Sequence, residues 1–424
     1  MNPFCESSVS LEKAFQNWCE MYPTPYNKKT VDPYTKTRII LMNGTEFEAN
    51  WFSHQFARHT DDPDLRRELA LTREIEKQQQ LKISLLKPIN ESVLEHTIGY
   101  EQLAVDLTAE LAKRECDCHV KRALDFALLE DFDHLYRYSN LLNMEEGIPA
   151  EYLVGRYTEI MPGRPTISEH RYPKDNVRRN IDAKNSDVQT VLNTMIITAA
   201  EQQTMNYYMN VTAFSKSDLG RRLYQEIALV EEEHVTHYES LMDPNATWLE
   251  MLLWHEYCEC YLYWSCYMTE SDMCIKKLWE DNLYTEIAHL HKAKELLQKY
   301  EGKEWQQVIK CGDFPAPISL HENIDYVRDV LANTVQFTTN RDEYVKVENL
   351  PKDADFFRFQ NIINPSTEIV PSHHVIDVYL RRHRTDYRYE VAENPIPALR
   401  NRRCDNTDVG RVPGAAESTD FSCN

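Results

Sequence analysis

Apolar residues recur three and four positions apart over most of the middle of the chain, which is the period of helices that bury one face. The acidic cluster Asp61-Asp62-Pro63-Asp64 opens the first such segment, LRRELALTREIEKQQQLKISLL. It predicts a helix capped by the aspartates and stopped at Lys87-Pro88. Asn90-Glu91-Ser92 caps a predicted helix at about 91–114, and others are predicted at 117–143, 187–212, 216–242, 247–269 and 273–300. Asp243-Pro244-Asn245 is a tight turn. Residues 144–186, with Gly147, Pro149, Gly155, Pro162, Gly163, Pro165 and Pro173, read as a long crossover with at most short helices.

The flanks lack this period. Residues 1–62 carry Pro3, Pro23, Pro25, Pro33 and Gly44 and read as an irregular N-terminal arm. Beyond Gly302 the pattern weakens, leaving a short helix at about 322–335, a strand at HHVIDVYLRR and a disordered end. The expected organisation is all-α, with an arm at 1–62, a helical body at 63–300 and an extended C-terminal region at 301–424. Arginines 381, 382, 384, 388, 400, 402 and 403 make that region locally basic, suited to docking on an acidic body, its own or a neighbour's.

Composition narrows the function classes. Ten glycines in 424 residues fit long helices and argue against a glycine-loop nucleotide binder. A formal charge of −21 argues against nucleic acid as partner, because backbone phosphates would be repelled. Eleven cysteines, an odd count with no CxxC, do not form a disulfide framework. No apolar run is long enough for a membrane span, and MNPFCESSVS does not resemble a secretory leader. A reducing cytoplasm is the expected location.

Candidate chemistry lies in one repeated spacing. An acid stands three residues before a histidine at Asp131/His134, Glu231/His234 and Glu286/His289, and a glutamate stands thirty residues before each acid, at Glu101, Glu201 and Glu256. Glu101-Gln102 is echoed by Glu201-Gln202, and Tyr138 follows His134 by four residues as Tyr238 follows His234. This is the mark of a duplicated helical hairpin. Positions i and i+3 share a helical face, and thirty residues of helix–turn–helix return the chain to the same level. One hairpin thus offers half of a two-metal site, and two facing hairpins complete it.

The candidate ligands also lie on apolar faces: Glu231 and His234 with Ile227, Val235 and Tyr238, Asp131 and His134 with Leu128, Leu135 and Tyr138. Carboxylates there must be protonated, paired or metal-bound. Pairing with Arg122, Arg137, Arg221 or Arg222 is the plainer alternative. Glu130 is an alternative to Asp131, and Glu232 and Glu233 suit solvent. The long connection from 134 to 201 lets the first two hairpins face each other, which assigns the site to Glu101, Asp131, His134, Glu201, Glu231 and His234. The third hairpin, with Glu256, Glu286 and His289, is a relic, a second site formed with a symmetry mate, or a substitute for one of the first two.

These residues resemble the ferritin-like superfamily of carboxylate-bridged di-iron and di-manganese proteins. Its members include ferritins, rubrerythrins, manganese catalases and ribonucleotide reductase small subunits. The superfamily's pattern of Glu, Glu-x-x-His, Glu, Glu-x-x-His on four helices matches Glu101, Asp131/His134, Glu201 and Glu231/His234, with Asp in place of Glu at 131. The likeness covers about 91–242 and implies a ferritin-like four-helix bundle with an additional helical hairpin at 247–300. It implies two iron ions per chain, or manganese, with Glu101 and Glu201 as terminal ligands, Asp131 and Glu231 as bridges, and one imidazole per metal. The implied function is that of a non-haem di-metal oxidoreductase acting on O2 or peroxide, of peroxidase, oxidase or catalase type, in a homo-oligomer. Tyr138, Tyr208 and Tyr238, on the ligand faces, are candidates for hydrogen bonding to ligands or for radical relay. Without a CxxC…CxxC centre of the rubredoxin type, reducing electrons must come from another protein. The alternatives are an iron-binding ferroxidase without organic substrate and a metal-free assembly protein.

Overall fold

Side-chain oxygens cap the N-termini of most of the long helices. In the computed structural model, which describes residues 1–164, 166–390, 392–400 and 411–412, the chain is mostly helical. In chain order the helices are α1 (Leu11–Ala14), α2 (Pro33–Arg58), α3 (Pro63–Ser84), α4 (Val93–Arg114), α5 (Cys118–Glu146), α6 (Thr166–Glu169) and α7 (Val188–Val211). They continue as α8 (Asp218–Glu239), α9 (Trp248–Thr269), α10 (Met273–Glu301), α11 (Ile324–Thr334), α12 (Asp355–Ile363) and α13 (Pro371–His383). A single hairpin, β1 (Phe337–Asn340) with β2 (Glu343–Lys346), is the strand structure named among the described residues.

Asp62, Asp117 and Asp272 accept backbone N–H bonds in the first turns of α3, α5 and α10, and Ser92/Glu95 and Thr247/Glu250 form reciprocal capping boxes on α4 and α9. Each cap contributes roughly 1 kcal/mol. Gly147 and Gly302 end α5 and α10 at φ +67° and +66°, a left-handed conformation that glycine takes without side-chain strain.

Two elements differ from the sequence expectation. The arm expected to be irregular contains α2, whose residues from Tyr34 to Met42 are all buried. A helix buried on every face shows no apolar stripe, and its polar residues are paired inside: Arg38 and Thr35 with Glu270, Lys36 with Glu91. The expected strand HHVIDVYLRR lies in α13, which buries Val375, Ile376 and Tyr379 at helical spacing behind Pro371 in its first turn. The expectation for the end of the chain, Arg402 and Arg403 included, falls largely outside the described residues.

The chain forms two compact units that interleave in sequence. The first unit comprises Met1–Glu91, Asn180–Gln203 and Met242–Leu320. Here the α2–α3 hairpin packs on the α9–α10 hairpin through α2 against α9 and α3 against α10. The third hairpin of the sequence pattern therefore has a partner within the chain, in helices that include the one hidden in the arm. Gly44 lets α2 approach α7 in the same unit: a Cβ there would lie 2.8 Å from Cβ of Gln203.

The second unit comprises Ser92–Arg179, Thr204–Leu241 and His321–Asn424. Its α4–α5 hairpin packs on α8 through α5, while α13 lies against both α5 and α8. Val105, Leu128, Phe132 and Met161 form one core with Val327 and Leu331 of α11, so the C-terminal region completes this unit. Among the described residues no helix is long and apolar enough to cross a membrane.

Candidate metal centre

In the second unit α4 places Glu101, α5 places Asp131 and His134, and α8 places Glu231 and His234 in one interior, all at most 1% exposed. The i, i+3 spacing puts each acid and its histidine on one face. Glu231 stands between the imidazoles, with Oε1 3.0 Å from His134 Nδ1 and Oε2 3.2 Å from His234 Nδ1. His234 Nδ1 is also 3.2 Å from Asp131 Oδ1. Glu101, His134 and Glu231 offer ligand atoms within 4.8 Å of one another, as do Asp131, Glu231 and His234. Glu201 is buried on α7, in the part of that helix belonging to the first unit. It stands seven residues, about two turns, before Tyr208 and so shares its helical face.

Both histidines turn Nε2 away from this interior, toward outer carboxylates. His234 Nε2 is 2.7 Å from Glu130 Oε2, and His134 Nε2 is 3.5 Å from Glu169 Oε2. Arg171 Nη1 donates to Glu130, and Arg164 Nε lies 3.2 Å from it. Glu169, Arg164 and Arg171 all come from the crossover between α5 and α7. With Nε2 facing an outer carboxylate, each imidazole presents Nδ1 to Glu231, as a donor when protonated and as a lone pair for a cation when not, which is how carboxylate–histidine pairs orient metal-binding nitrogens.

The electrostatics divide the carboxylates. Burial opposes ionisation of Glu130, yet Arg171, the hydrogen bond from His234 and Arg164 hold it down at about 2. Glu231 is likewise held low, against burial, by the two imidazoles. Burial pushes Glu101 and Asp131 upward. His134 is raised, its desolvation outweighed by Glu169 and Glu231. Asp131 Oδ2 and Glu101 Oε2 have no hydrogen-bond partner. Three inner carboxylates and two imidazoles with inward nitrogens fit a cation well.

Tyr208 Oη donates to Glu101 Oε1. Tyr138 is buried with no hydrogen bond to its hydroxyl and packs against Tyr208 and Tyr224, ring centroids 5.3 and 4.9 Å away. Tyr238 meets His234 edge-on at 6.4 Å. Of the arginines considered from sequence, Arg137 pairs with Asp133 and Arg122 lies over the Tyr344 ring. Glu232 is exposed, whereas Glu233 is buried and accepts the Arg171 backbone N–H.

Glu256, Glu286 and His289 are also brought together, in the first unit, with Glu76 of α3 and Glu46 of α2 around them. Glu46 and Glu76 fall outside the acid–histidine pattern because no histidine follows Glu76 by three residues. Glu46, then Glu76 thirty residues on, then Gln79 three further, keep the spacing with an amide in the imidazole's place. Allowing glutamine at that position would have revealed the fourth hairpin. Glu169, Arg164 and Arg171 left no such signal, because crossover residues have no period. The chain matches no known family, no curated protein and no solved structure among those compared.

Proposed function

We propose that the second unit is a ferritin-like four-helix bundle holding two transition-metal ions, and that the protein is a non-haem di-metal oxidoreductase of O2 or peroxide. The observation that carries this reading is the orientation of both imidazoles, Nδ1 toward Glu231 and Nε2 toward Glu130 and Glu169. In the proposal His134 and His234 give one nitrogen to each ion. Glu231 and Asp131 would be shared between the ions and Glu101 would serve one of them. Mixed nitrogen and carboxylate ligation suits iron or manganese.

When bound, a pair of such ions supplies redox equivalents and Lewis acidity toward O2 or peroxide. The chain's own residues do the rest. The Glu130–Arg164–Arg171 group anchors His234 through Nε2. Tyr208 orients Glu101 through its Oη–H. The apolar surroundings and the buried Tyr138 and Tyr224 rings exclude water from that side. The sequence holds no CxxC pair of the rubredoxin type, so the reading includes an external reductant for any reductive turnover.

The test is elemental analysis of protein purified without oxygen, beside a Glu231→Ala/His234→Ala variant. The expected result is a loss of about two iron or manganese ions per chain in the variant, together with loss of peroxide or O2 consumption. Equal metal content in both proteins overturns the reading. Metal loss without any turnover by the wild type favours iron binding over catalysis.

A further inference from the structure

The first unit repeats the arrangement of the second, with one donor exchanged and one added. Its α2–α3 hairpin carries Glu46, Glu76 and Gln79, and its α9–α10 hairpin carries Glu256, Glu286 and His289, at the 30- and 3-residue spacings of the second unit. The hydrogen bonds repeat as well. Tyr263 lies seven residues after Glu256 and donates to Glu46, as Tyr208 lies seven after Glu201 and donates to Glu101. Gln79 Nε2 donates to Glu286 Oε1 at 2.7 Å, where His134 Nδ1 meets Glu231 Oε1. His289 Nδ1 lies 3.0 Å from Glu286 Oε2, as His234 Nδ1 lies near Glu231 Oε2. Glu259, one turn beyond Glu256, is the addition.

The interior that results is rich in oxygen. Glu46, Glu76, Glu256, Glu259 and Glu286 are each at most 2% exposed, with His289 as the imidazole among them. Glu76, Glu256 and His289 offer ligand atoms within 4.8 Å of one another, and so do Glu256, Glu259 and Glu286. Among the described residues no lysine or arginine forms an ion pair with these five carboxylates, in contrast to Glu130 with its two arginines. Neither oxygen of Glu259 has a hydrogen-bond partner, nor do Glu256 Oε2 and Glu46 Oε2. So many buried acids around one imidazole are sustained only by protons or by a cation.

We propose that the first unit contains a metal centre of its own, in which Glu76, Glu256, Glu259, Glu286 and His289 take a hard divalent cation of the Mn2+ class. Four carboxylates to one nitrogen match that preference, since oxygen ligands select Mg2+, Ca2+ and Mn2+ while added imidazole favours Fe2+ and Zn2+. Gln79 is a positioning residue, holding Glu286 where a histidine in the other unit faces its acid. The inference stands on the first unit's residues alone, whatever the second unit holds.

The test titrates chelator-stripped full-length protein with Mn(II), reading free ion by its electron paramagnetic resonance signal. The Glu231→Ala/His234→Ala chain is expected to keep one saturable class of Mn(II), and a Glu256→Gln/Glu259→Gln chain to lose that class while keeping its helical circular dichroism. If Glu231→Ala/His234→Ala misfolds, the comparison of wild type with Glu256→Gln/Glu259→Gln reads the same loss. Undiminished Mn(II) binding by a folded Glu256→Gln/Glu259→Gln chain overturns the proposal, as does the absence of any saturable class in the wild type. Loss in this variant without loss in the other sinks the second-unit reading and leaves this one standing.

Discussion

Replacing Glu130 by glutamine removes the carboxylate that meets His234, Arg164 and Arg171 at once. An ordinary glutamate titrates near 4.5 and this one is held at about 2. That difference corresponds to about 3 kcal/mol of stability at neutral pH. Because the folded value is depressed, the contribution is fully present above the ordinary carboxylate range and is lost as pH falls toward 2. It should therefore shrink to less than half of that, about 1 kcal/mol, at pH 3 by the same relation. The assay is native-state hydrogen exchange on peptides of α5 and α8 in metal-free wild type and Glu130→Gln, at both pH values, which reads the second unit without assuming that the whole chain unfolds in one step. The variant also frees His234 Nε2, and displaced outer carboxylates typically cost 10- to 100-fold in metal affinity. A variant as stable as wild type at pH 7, or a gap that widens on acidification, would refute the electrostatic account of this group.

Other outcomes follow from the same structure. In the first unit Glu270, though buried, is held low by Arg38, with help from Thr35. Glu270→Gln should destabilise α2 and α9 by about 3–5 kcal/mol near neutral pH, and by less in acid, as judged from urea titrations at the two pH values. Tyr208→Phe strips Glu101 of its hydroxyl donor and should cost about 0.5–1.5 kcal/mol, seen as a lower melting temperature of the metal-free protein. Cysteine labelling followed by peptide mapping should mark Cys5, Cys19, Cys116, Cys118, Cys274 and Cys311 in the native protein. Cys258, Cys260 and Cys266 are buried, with Cys266 pushed up to about 12 by that burial, and should react only after denaturation. Rapid native labelling of Cys260 would contradict the packing of α9.

The sequence alone determined the helices whose apolar stripe faces one way and whose ends carry caps. Segments 63–84, 93–114, 118–146, 218–239, 248–269 and 273–301 were legible from periodicity, Asp and Ser caps and terminal glycines, all of which act within a few residues. The 30- and 3-residue spacings likewise brought Glu101, Asp131, His134, Glu231 and His234 to attention, because helical geometry turns spacing into shared level and face. Tertiary structure decided what spacing does not encode. It made α2 a helix by surrounding it, so that its polar residues paired inward and no stripe was left to read. It gave the hairpin of Glu256 and His289 a partner across 200 residues of chain, a choice made by packing faces. It also drew Glu169, Arg164 and Arg171 from an aperiodic crossover onto the outer nitrogens of the histidines, where only the closeness of buried charges determines each partner.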